Sequence, residues 1–144
     1  MWRGSIAAVV LLAPVIAAAR AYAETAETAD IARLIADYRS LLERLENGSG
    51  VESAADEMEE LEQWFHSSMI AALRNPMIET TVRRLKNYIA VIRLDFTATA
   101  PRMIRTLREH LDVLEACLAR DPAAAEAALS PHFQATLQRI LVMV

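Results

Sequence analysis

Between residues 15 and 130, glycine and proline occur only at Gly48, Gly50, Pro76, Pro101 and Pro122, and each stands where a run of apolar residues at three- and four-residue spacing ends or begins. The residues that stop helices are thus confined to the joints. The intervening runs have the period of amphipathic helices, and none alternates with the period of two that a half-buried strand needs. Residues 28–46 carry Ile31, Leu34, Ile35, Tyr38, Leu41, Leu42 and Leu45 on one stripe, with Thr28 as the expected cap and Asn47-Gly48-Ser49-Gly50 as the stop. A second run, from about Glu52 to Leu73, carries Met58, Leu61, Phe65, Met69 and Ala72. Pro76 suits the first turn of a helix to about Phe96, and Thr97 to Thr99 form a short connection before Pro101 opens a helix to about Ala119. Asp121-Pro122 then give the cap and first turn of a last helix that reaches the C-terminus. With the apolar segment before residue 24, this predicts an all-α antiparallel bundle of about six helices, because such short connections make consecutive helices antiparallel neighbours. The 144 residues, 54% of them hydrophobic, suffice for one core and a single domain, 1–144.

The net charge of −4 argues against direct nucleic-acid binding by this chain alone, which would call for clustered Lys and Arg on one face. Cys117 is the single cysteine and lies among apolar residues, which reads as a buried, inert thiol in a reducing, cytoplasmic compartment. The N-terminal stretch admits two readings. Met1-Trp2-Arg3, the apolar run from Ile6 to Ala19 and Ala21-Tyr22-Ala23 before Glu24 have the form of a leader cleaved after residue 23. That alternative describes an exported helical protein with purely structural histidines. The same alanine-rich run also has the composition of a fully buried bundle helix. It is shorter than the roughly 20 residues that cross a bilayer, so no membrane partner is expected.

The three histidines fall on three different predicted helices, on or beside the apolar stripe. Glu62 lies one turn before His66, so the two side chains share a face. His110 belongs to the column Met103, Leu107, His110, Leu114, Cys117, and His132 borders the column Leu129, Phe133, Leu137, Ile140. Inward imidazoles need partners. Each histidine can pair with a nearby carboxylate or carbonyl within the core, or the three imidazoles and one carboxylate can converge on a metal ion.

Two motifs bear on that choice. Phe65-His66 followed nine and ten residues later by Asn75-Pro76 resembles the D-x-x-x-H … N-P signature of the FCD domain, the effector-binding half of FadR-subfamily GntR transcriptional regulators. Glu109-His110, Leu114, Ala116 and Asp121 resemble that family's E-H-x-x-x-L-x-A-x-x-x-x-D run, and Ala125 and His132 continue it. The resemblance is strong over residues 62–142 and weak over 5–61. It implies a metal-containing ligand-sensing domain in which Glu62, His66, His110 and His132 hold a divalent ion, zinc or nickel, inside the bundle. Open positions on the ion would take a small carboxylate effector, with Arg93, Arg102 and Arg105 as candidates for the rest of the anion. The resemblance also implies a homodimer.

The chain departs from the family at three places. Glu62 stands where the family has aspartate, and its extra methylene moves the carboxylate outward. Pro131 precedes His132 and should kink the last helix there. None of these 144 residues is expected to supply the winged helix-turn-helix that family members place before this domain, so DNA would be reached only through a partner or a segment outside this sequence. An enzyme is not expected. Glu62, the one candidate base, would by the resemblance already be a ligand, and the sequence places no second group for proton transfer.

Overall fold

The chain turns at the joints that glycine and proline mark. The computed structural model describes residues 15–93 and 99–131, with side chains as far as Arg84 and again from Thr99. Among the described residues there are six helices and no strand: α1 (15–25), α2 (Thr28–Glu46), α3 (Val51–Ala72), α4 (Pro76–Arg93), α5 (Ala100–Leu118) and α6 (122–131). Phe96, Thr97 and the stretch beyond Pro131, which includes His132 and the expected kink beside it, lie outside the described residues.

Local chemistry accounts for most helix ends. α2 stops where Gly48 takes a φ of 71° and the N–H of Ser49 reaches back to the Arg44 carbonyl at 2.9 Å. Asn75 caps α4, its Oδ1 accepting from the N–H groups of Met77 and Ile78 at 3.1 and 3.3 Å, while Pro76 fills the first turn, where no donor is needed. Asp121 caps α6 by accepting from the Ala124 N–H at 3.0 Å. The expectation for Thr28 is corrected: the cap position belongs to Glu27, which makes no side-chain cap bond, and Thr28 is the first helical residue. Its hydroxyl instead accepts from the Arg120 guanidinium at 2.9 Å, a partner 92 residues away.

α2 is the central helix, lying against α5 along much of its length and against α3, which in turn touches α4 and α5. Ile31, Tyr38, Leu41, Phe65, Met69, Leu107, Leu114 and Leu129 are fully buried where these helices meet. Burying a large apolar side chain of this kind contributes roughly 1.5–3 kcal/mol. The seams carry ion pairs at their rims: Arg39 with Glu115 at 2.6 Å and Arg108 with Glu46 across α2 and α5, Arg44 with Glu57 across α2 and α3, and Arg20 with Glu126 at 2.7 Å across α1 and α6. These pairs are solvent-accessible, so each adds at most about 1 kcal/mol and chiefly fixes register.

α1 belongs to the core. Ala18, Ala19 and Ala23 are fully buried beside Val15 and Tyr22, and the Cys117 thiol of α5 lies 4.0 Å from the Ala19 carbonyl oxygen. Side chains this small let the two backbones approach closely. Cleavage after Ala23 would strip the whole α1 layer from the bundle, which weighs against reading residues 15–23 as a removed leader. No helix among the described residues is long and apolar enough to cross a membrane.

Candidate effector-binding site

His110 comes from the middle of α5 and is the one charged or polar residue among the described residues that is fully buried. Three aromatic neighbours hold its ring. Phe65 of α3 stacks on its face, with centroids 4.2 Å apart and planes 9° apart. Tyr38 of α2 meets it edge-on at 5.7 Å and places its hydroxyl 3.2 Å from Nδ1. His66, the residue after Phe65, presents an edge-to-face contact at 5.5 Å and 88°. The apolar stripes of α2, α3 and α5 produce this meeting, because Tyr38, Phe65 and His110 each occupy an inward position of their own helix.

The Tyr38 hydroxyl also donates to the Leu61 carbonyl oxygen at 3.3 Å, so α2 is tied to α3 and α5 through one side chain. Burial, and after it the Glu62 carboxylate, hold the Tyr38 phenol well above its ordinary range. A phenol is a donor at neutral pH in any case, and this one stays protonated further into the alkaline range than an exposed tyrosine.

Of the four residues expected to hold a metal, the structure brings His66 and His110 together. Imidazoles that share an ion through nitrogens about 2.0–2.1 Å from it have ring centres roughly 5 Å apart in tetrahedral geometry. The 5.5 Å between His66 and His110 is close to that spacing, and imidazole is a ligand type that suits a borderline divalent ion; His110 is fully buried and His66 half-buried. Glu62 is half-buried one turn before His66 and acts electrostatically on Tyr38. Among the described residues no three His, Cys, Asp or Glu side chains converge with metal-binding spacing. His132 lies outside the described residues.

Two of the three candidate arginines lie at the surface. Arg102 and Arg105 are exposed on α5, and Arg105 pairs with Glu109 at 3.5 Å. Arg93 ends the described part of α4, with its side chain outside the description. Between residues of α2 and α3, a groove of about 280 Å³ is lined by Asp37, Ser40, Glu57, Glu60, Leu61 and Trp64.

Sequence reasoning missed Tyr38 and Phe65 as partners of His110, having placed both only as core residues. The available signal was the tyrosine itself, since a phenol on an apolar stripe needs a buried hydrogen-bond partner.

The described helices form an all-α bundle in which the buried His110 ring meets the half-buried His66. The chain belongs to the FCD domain family, whose model matches residues 16–135. The FCD domain is the effector-binding domain of GntR-type regulators, a regulatory ligand-binding unit and not a catalytic one. The match takes in α1 and the stretch before residue 62, where the motifs were weak, and no helix-turn-helix domain is found within these 144 residues. Comparison with the curated proteins and with the solved structures gives no match.

Proposed function

We propose that this protein senses a small organic acid through a divalent metal, zinc or nickel, held by Glu62, His66, His110 and His132 within the bundle. The observation that carries this reading is the pair of imidazoles from different helices, the half-buried His66 on α3 and the buried His110 on α5, meeting at 5.5 Å. A bound ion would supply a Lewis-acidic centre whose remaining positions accept a carboxylate.

The chain's own residues do the rest. Phe65 fixes the plane of His110, Tyr38 holds its Nδ1 edge, and the buried surroundings exclude bulk water, which strengthens any charge-assisted contact inside. Arg93, Arg102 and Arg105 are the cations proposed for the far end of the acid. For the exposed Arg102 and Arg105 this requires the ligand to reach the surface end of the site. The domain is proposed to act as a homodimer and to communicate with DNA through a winged-helix region elsewhere. The acid would then act by binding one arrangement of the assembly more tightly than another.

Elemental analysis of purified protein tests the reading. About one zinc or nickel per chain is expected, lost in His66→Ala and in His132→Ala, with small di- and hydroxycarboxylates raising the melting temperature of the metal-loaded protein only. Absence of metal after incubation with zinc or nickel would reduce the histidines to core residues.

A further inference from the structure

The Tyr38 hydroxyl has one hydrogen and two polar neighbours, the Leu61 carbonyl oxygen at 3.3 Å and His110 Nδ1 at 3.2 Å. A carbonyl oxygen only accepts, whereas an imidazole nitrogen donates or accepts according to its tautomer. The arrangement that satisfies both contacts has Tyr38 donating to Leu61 and accepting from His110 Nδ1–H. No buried side-chain nitrogen or oxygen among the described residues lacks a partner, so the cluster is consistent with this fully bonded state.

We propose that Tyr38 is a positioning residue that fixes His110 as the Nδ1–H tautomer, so that Nε2 is the nitrogen that carries the lone pair for a ligand. This rests on the proposed metal reading for its purpose but not for its structural content. Metal-binding histidines characteristically donate their second ring nitrogen to a neighbouring acceptor, which sets both ring orientation and ligand basicity. A phenol oxygen can serve as that acceptor only if its own hydrogen is engaged elsewhere. The Leu61 carbonyl engages it here. Phe65, flat against the ring, blocks one face, so the ring is fixed by stacking and the tautomer by Tyr38.

The test is nitrogen-15 NMR of the histidine rings in metal-free protein, with the His110 signals assigned by their loss in His110→Gln, together with zinc titration of the wild type and Tyr38→Phe. Tyr38→Phe keeps the ring contacts with Phe65 and His110 and removes only the hydroxyl. His110 is expected as Nδ1–H in the wild type and to lose that preference in Tyr38→Phe, with a fall of about 10–100-fold in zinc affinity. An Nε2–H tautomer in the wild type overturns the proposal, and this arm needs no variant to fold. Zinc affinity unchanged in a folded Tyr38→Phe also overturns it. If the wild type binds no zinc yet shows Nδ1–H that Tyr38→Phe abolishes, the metal reading fails and the assignment of Tyr38 stands.

Discussion

The ring of Phe65 lies flat on that of His110 and, through the adjacent residue, stands perpendicular to that of His66, with centroids 4.2 and 5.1 Å away. One side chain of α3 thus sets the attitude of two imidazoles. Phe65→Ala should cost about 3–5 kcal/mol as a cavity opens in the core. Phe65→Leu keeps more of the volume and should cost less than the alanine change, yet lower zinc affinity because the stack is gone. Thermal melts with zinc titration check both, and equal zinc affinity in Phe65→Leu would make the stack mere packing.

A chain beginning at Glu24 lacks Val15, Ala18, Ala19, Tyr22 and Ala23, all buried against the bundle. It should show no cooperative unfolding transition by circular dichroism. Ala19→Leu in the full chain should cost about 1–3 kcal/mol by overpacking α1 against α5. Melting of the shortened chain at the full-length temperature would restore the leader reading.

Arg120 follows α5 with a φ of 56°, in the left-handed region, and its guanidinium donates to the Ala23 carbonyl at 3.2 Å and to Thr28 Oγ1 at 2.9 Å. It holds the α1–α2 junction to the end of α5. Arg120→Ala should lose both bonds and keep the backbone strain, at about 1–2 kcal/mol. Arg120→Gly should be less harmful by about 1 kcal/mol, because glycine adopts that φ freely. Denaturant titration of the two variants separates the bonds from the strain.

Burial pushes the Cys117 thiol up to about 11 and the Tyr22 phenol up to about 12. The unfolded chain therefore releases these protons at lower pH than the folded chain does. The associated stability is present in full below the ordinary thiol and phenol ranges and is lost as pH rises through about 11 and 12. The slope should approach roughly 1.4 kcal/mol per pH unit for each group between its unfolded and folded values. Melts from neutral pH to pH 11 should fall accordingly, and a thiol reagent at pH 8 should react only after denaturant is added. A flat profile would show that neither group is held from water.

The helices and their joints were legible because capping and helix breaking act within a few residues, as at Asn75-Pro76 and Asp121-Pro122. The inward direction of His110 was legible too, from its place in a column of apolar residues on α5. What touches it was not. Tyr38 and His110 are 72 residues apart, and their pairing depends on how α2 settles on α5, which periodicity leaves open. The same limit misassigned Thr28, whose hydroxyl looked like a local cap until Arg120 claimed it across 92 residues.

Asp37, Tyr38 and Arg39 are consecutive, yet they face the outer groove, the His110 ring and Glu115 of α5 in turn. A helix turns as a rod. Any ligand that rolls Tyr38 about the α2 axis must therefore swing Asp37 across the mouth of the groove and pull Arg39 along the α5 rim, so an event at a buried ring is written on two surfaces of the molecule at once.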